Sequence, residues 1–183
     1  CYVIFINAFN MLDGINLQAG LYSLFLILVL ISFGLDTILA FCVLLGILVY
    51  INFNRQDKIF LGDNGCLLLS YIISYFMIDL FNQRQIIFSD TILLLLLIPG
   101  LEVIRLSFER IKNNKNIISP DRRHIHHIIK FNDNEIKGVV IIQILIIAPY
   151  LLSISLDNKL PIILVTIFTY FLLIFYFRKN DTV

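Results

Sequence analysis

The chain is 183 residues long, 59% hydrophobic and 15% charged, with a mean hydropathy of +0.90. Soluble domains are roughly half apolar, so this composition excludes an ordinary soluble fold and points to several membrane spans. The formal net charge of +1 suggests no nucleic-acid partner. Cys1, Cys42 and Cys66 have neither zinc spacing nor the even count of a disulfide framework, and read as small core residues.

The opening "CYVIFINAFNML" starts as if already inside a helix, and no signal peptide is recognisable. The expectation is a fragment whose N-terminal part is missing, with this stub as the end of a spanning helix. A span needs about 20 apolar residues at about 1.5 Å each. Residues 20–51 carry one charge, Asp36, and are too long for a single span. Splitting them at "FGLD" (33–36) and extending to Leu17 and Phe53 gives two short helices joined by a tight turn. Residues 66–81 form the next span, followed by the polar "NQRQ". Residues 91–108 follow, with a kink expected at "IPG" (98–100). Residues 139–156 and 162–177 are the last two, separated by "DNKLP". The predicted architecture is an all-α polytopic membrane protein with about six transmembrane helices plus the end of a seventh. With no internal repeat or low-complexity linker, residues 1–183 read as one membrane-embedded domain.

Basic residues in short loops set the orientation. Alternating the spans places Arg55, Lys58, Arg105, Arg110, Lys112, Lys115, Arg122, Arg123, Lys130, Lys137, Arg178 and Lys179 on one side. Only Arg84 and Lys159 fall on the other, so the first group faces the cytoplasm. Asp36, Asp79, Asp90 and Asp157 lie near the opposite face as boundary residues.

Three polar clusters share the cytoplasmic side. In "NAFNMLDGIN", Asn7, Asn10, Asp13 and Asn16 recur every third residue, which on a helix end aligns them along one flank. Gly14 would let a ligand approach the backbone; a cap and turn is the structural alternative. In "FLGDNG", Asp63 stands between two glycines at a helix start, as an N-cap or as a ligand for a hard cation such as magnesium. Phe60, three residues earlier, can offer its ring to a flat base. The third cluster, "SPDRRHIHHIIKF", holds every histidine of the chain: His124, His126 and His127. Adjacent histidines rarely share one zinc ion, and Arg122 and Arg123 would repel a dication. Guanidinium forks beside imidazole donors suit a diphosphate or a sugar better. A solvated basic loop explains the nearby lysines but not three histidines. Glu102 and Arg105, spaced i, i+3, read as an ion pair on a helix surface. Polarity collected at one interface also argues against a transporter, whose sites sit near the bilayer midplane.

Taken in order and on one face, "NAFNMLDGIN", "FLGDNG" and "SPDRRHIHH" resemble the polyprenyl-phosphate N-acetylhexosamine-1-phosphate transferases, in particular the undecaprenyl-phosphate GlcNAc-1-phosphate type. The resemblance implies transfer of a sugar-1-phosphate from a UDP-N-acetylhexosamine to undecaprenyl or another polyprenyl phosphate, with release of UMP. This would be the initiating step of cell-surface polysaccharide synthesis (O-antigen or lipopolysaccharide, for instance) at the bacterial cytoplasmic membrane. It implies Mg2+, or Mn2+ in its place, as the cofactor and the lipid bilayer as the setting, with a homodimer left open. Carried over by position, Asn10 and Asp63 would lie at the metal. Asp13 and Asn16 would line the uridine pocket, Phe60 would stack on uracil, and Asp63, Asp13, His124, His126 and His127 would be catalytic. Arg122, Arg123, His124, His126 and His127 would hold the diphosphate and amino-sugar. Three departures stand out. Leu17 follows Asn16 directly, where members carry a glycine, and Glu102 stands where many have Asp. An Asp-Asp pair that the family carries on an earlier loop is absent, and would precede Cys1. A fragment without that pair is expected to be inactive alone, and the alternative is a non-catalytic module that binds nucleotide sugar or lipid phosphate.

Overall fold

The computed structural model describes residues 2–35, 37–82, 86–113, 125–129 and 135–180; of His126 and His127 it describes the backbone. The order is α1 (Tyr2–Leu12), α2 (Gln18–Ser32), α3 (Ile38–Asn54), α4 (Gly62–Asn82), α5 (Ser89–Lys112), α6 (Ile125–Ile128), α7 (Glu135–Ser153) and α8 (Leu160–Asn180). The protein is an all-helical polytopic membrane protein. Helices α4, α5, α7 and α8 are long and apolar enough to cross a bilayer, while α2 and α3 are shorter apolar helices. These six helices fall where hydropathy places the six spans, four of them with the length and apolarity to cross a bilayer.

Exposure supports the membrane setting more directly than helix length does. Phe168 and Phe175 on α8 are 68% and 72% exposed, and α3 presents Phe41, Leu45, Leu48 and Val49 outward. In water such faces would be a liability; against lipid tails they cost nothing. Cys42 lies on this outward side of α3, so it is not the core residue expected, whereas Cys66 is buried. In a bilayer an apolar side chain gains nothing from leaving solvent at that position, so hydrophobicity alone does not sort lipid-facing from core residues.

The α2–α3 turn has a local cause. Leu35 N–H donates to Leu30 O at 3.2 Å and Gly34 N–H to Ile31 O at 2.9 Å, around Gly34 at φ 85°. This paired closure needs a left-handed residue, which glycine supplies without a Cβ clash. Thr37 then caps α3, its hydroxyl accepting from Ala40 N–H at 3.1 Å.

Inside, α1 packs on α4 and α5, α2 on α3, α4 and α7, and α5 on α7 and α8. Small residues allow the approach on α4, where Ser70 and Ser74 donate back to Cys66 O and Ser70 O at 2.6 and 2.7 Å. Gln143 of α7 donates to the backbone O of Gln18 at 3.0 Å, tying α7 to the start of α2. At the opposite end, Lys159 before α8 reaches Asp90 of α5 at 3.3 Å and Thr91 Oγ1 at 2.6 Å. Span alternation places Lys159 and Asp90 on that same side.

Helix α5 runs through Pro99 without interruption. Proline has no N–H, so the carbonyl four residues earlier, Leu95 O, loses its helical donor. The fully buried Tyr22 of α2 supplies one, its hydroxyl donating to Leu95 O at 3.0 Å. Tyr22→Phe is therefore expected to lower stability by about 1 kcal/mol or more, because a buried carbonyl is left without a partner. In a Pro99→Ala background, where the new N–H takes that carbonyl, the same change costs much less. Thermal unfolding of the four purified variants in detergent checks this cycle.

Candidate active site

The sequence spacing predicted Asn7, Asn10, Asp13 and Asn16 along one helical flank. Helix α1 ends at Leu12, so only the first two lie on it; Asp13 and Asn16 sit in the turn that follows. That exit from the helix gives each residue a different neighbour. Asn10 remains exposed on the last turn of α1, its carbonyl accepting from Asp13 N–H at 3.2 Å. Asn7 donates to Val3 O at 2.9 Å.

Asp13 turns toward the start of α4. The Cys66 thiol donates to Asp13 Oδ2 at 3.3 Å. Burial holds the Asp13 carboxyl above the usual carboxylate range. The Cys66 thiol and the Gly62 N–H oppose that rise, whereas the negative charge of Asp63 adds to it. Asp63 itself is exposed in the first turn of α4, as expected for "GDNG". Phe60 is 68% exposed just before it, with its ring open to a ligand. Two acidic side chains thus sense one another where α1 ends and α4 begins. Among the described residues no group of three or more His, Cys, Asp or Glu side chains is arranged around one ion.

Asn16 is held from the other side by α3. It donates to Asp57 and accepts from Asn54 Nδ2 at 3.3 Å. Asn54 is a hub, only 1% exposed. Its Oδ1 accepts from Leu17 N–H at 2.7 Å and its Nδ2 donates to Ile59 O at 2.8 Å. One amide therefore clasps the loop after α1 to the loop before α4. Asp57 sits at φ 57° and closes α3 with Asp57 N–H to Asn54 O at 3.0 Å and Lys58 N–H to Phe53 O at 3.1 Å. Aspartate tolerates that left-handed conformation better than most residues. Sequence reasoning missed Asn54, because a lone asparagine in "NFNRQ" carries no spacing signal.

Leu17 takes φ 70° and ψ −20° as the residue before α2. This is the left-handed region that a glycine enters freely and that costs an L-residue roughly 1–2 kcal/mol. The departure from the glycine expected there is thus accommodated by strain, with the Asn54 bond holding the peptide in place. Leu17→Gly is expected to leave stability within about 1 kcal/mol of the parent, the relieved strain offsetting the lost side chain. Leu17→Val, β-branched in the same conformation, should cost well over 1 kcal/mol. Unfolding midpoints of the two variants decide; a Leu17→Gly loss as large as that of Leu17→Val would remove the strain argument.

Glu102 and Arg105 do pair, but not on a helix surface as their spacing suggested. They are 1% and 6% exposed, inside a network joining three helices. Glu102 Oε1 accepts from Arg105 Nη2 at 2.6 Å and from the backbone N–H of Ile125, at the start of α6, at 2.7 Å. Glu102 Oε2 accepts from Tyr170 of α8 at 2.5 Å and from Arg105 Nε at 3.1 Å. Arg105 Nη1 also meets Glu109 at 2.9 Å, and Arg178 reaches the same oxygen at 2.6 Å. The reason is tertiary: Tyr170 and Ile125 close over the pair. Arg122, Arg123 and His124 lie outside the described residues, as do the side chains of His126 and His127.

The clustered acids, the asparagine clasp and the anchored α6 all sit in a helical membrane scaffold whose residues 1–81 match the profile described as "Glycosyl transferase family 4". The chain belongs to that family. Among its curated relatives, the undecaprenyl-phosphate alpha-N-acetylglucosaminyl 1-phosphate transferase of Escherichia coli (strain K12) is 34% identical over 136 residues, covering 68% of this chain and 37% of the relative. The Salmonella typhi protein of the same name is 35% identical over 136 residues, with the same coverage of 68% and 37%. The probable undecaprenyl-phosphate N-acetylglucosaminyl 1-phosphate transferase of Bacillus subtilis (strain 168) is 32% identical over 184 residues, covering 94% of this chain and 50% of the relative. The chain thus spans half or less of the length of these relatives. No solved structure matches it.

Proposed function

We propose that the protein carrying this chain transfers N-acetylhexosamine-1-phosphate from a UDP-sugar to undecaprenyl phosphate and releases UMP, at the cytoplasmic face of a bacterial inner membrane. The observation that carries this reading is the placement of Asp13 in the turn after α1 and Asp63 in the first turn of α4, beside the asparagine clasp and at the end of the bundle where α6 is also anchored. An acidic pair suits a hard divalent ion. Magnesium prefers one or two carboxylates and shares the rest of its shell with phosphates. Asp63 and Asn10 would hold it, and it would supply charge neutralisation at the donor diphosphate. The chain's own residues would orient the reactants: Asn16 and Phe60 the uridine, and Arg122, Arg123, His124, His126 and His127 the diphosphate and amino-sugar. Phosphoryl transfer depends on such positioning and charge neutralisation more than on covalent protein chemistry.

The test is a reconstituted full-length protein given a panel of UDP-sugars with and without undecaprenyl phosphate. UMP release is expected only when a UDP-N-acetylhexosamine, the lipid phosphate and Mg2+ are all present. Release without the lipid, or none with any UDP-sugar, overturns the reading.

A further inference from the structure

The network around Glu102 reaches a segment that sequence spacing could not connect to it. The carboxylate accepts the backbone N–H of Ile125 at 2.7 Å, while Tyr170 and Arg105 hold its two oxygens at 2.5 and 2.6 Å. Ile125, Ile128 and Ile129 of this short segment are buried at 1%, 6% and 0% exposure. From the other side, Gly138 of α7 lies so close that a Cβ there would stand 3.2 Å from Ile129 O. Helix α6 is therefore gripped at its start by α5 and α8 and at its end by α7. A four-residue helix cannot hold its own position, since one turn fixes several dihedrals for a single hydrogen bond.

We propose that Glu102 is a positioning residue that holds α6, and so the backbone of His126 and His127, and that Tyr170 of α8 sets the Glu102 carboxylate for that task. The last helix thereby acts on the donor site without touching substrate. The proposal rests on the transferase reading for its functional part, in which those histidines grip the donor. Its structural part stands separately.

The experiment compares the full-length protein with Tyr170→Phe and Gly138→Ala, using hydrogen–deuterium exchange and steady-state kinetics. Tyr170→Phe keeps the buried ring and removes only the hydroxyl; Gly138→Ala perturbs α6 with no change of charge. Exchange across residues 125–129 is expected to quicken in both variants, by about tenfold in Tyr170→Phe, in line with loss of one hydrogen bond to a charged group. Peptides from α1 and α4 should exchange as in the parent. The KM for the UDP-sugar should rise about tenfold, while that for undecaprenyl phosphate stays level. Unchanged exchange at 125–129 in Tyr170→Phe overturns the anchor. Faster exchange with an unchanged donor KM overturns the positioning role. A parent protein without transferase activity would defeat the transferase reading, and exchange would still decide whether Tyr170 and Glu102 anchor α6.

Discussion

Asp63→Asn in the full-length protein is expected to lower UMP release by about a thousandfold, the scale on which removal of a preorganised charge-stabilising group acts in other enzymes. Asp63 is exposed in the first turn of α4, so the substitution removes a charge without opening a cavity. Thermal stability should stay close to that of the parent. The two effects separate a catalytic charge from a helix cap. Loss of a cap would cost about 1 kcal/mol of stability and leave turnover largely intact. Initial rates of UMP release at saturating donor and lipid give the answer; activity above a tenth of the parent's would take Asp63 away from the reacting diphosphate.

The second large effect is on stability. Arg105→Met leaves Glu102 buried at 1% exposure with its strongest partner removed. Breaking a buried pair from one side typically costs about 3–5 kcal/mol, because the remaining charge keeps its desolvation penalty. Glu109 would lose Arg105 as well, retaining Arg178. The double change Arg105→Met with Glu102→Gln should recover part of the loss, since no buried charge is then orphaned at that position. Denaturation midpoints in a mild detergent measure the cycle. A single-variant loss under about 1 kcal/mol would place the pair in the weak, solvent-screened class of surface ion pairs instead.

Much of the scaffold is legible in the sequence, because spans are written in long apolar runs and their breaks in Gly34, "NQRQ" and "DNKLP". The start of α4 at "GDNG" was readable for the same reason: its glycines and acid are local signals. What failed to show was tertiary. Regular spacing from Asn7 to Asn16 suggested continued helix, yet the chain leaves α1 at Leu12 and turns Asp13 toward Cys66. The Glu102–Arg105 pair was visible as i, i+3, but its burial depends on Tyr170, far along the chain. Cys42 carried no mark distinguishing a lipid-facing position from a core one, since the bilayer rewards both with the same residue types.

The left-handed Leu17 has a consequence for how this chain tolerates sequence drift. With leucine at 17, Asn54 must supply the bond that secures a costly backbone, so the two positions are epistatic. Asn54→Ser should be far more damaging in this background than in one carrying Leu17→Gly, where the turn holds its shape unaided. A lineage that lost the glycine would then have little freedom left at residue 54 until the glycine returned.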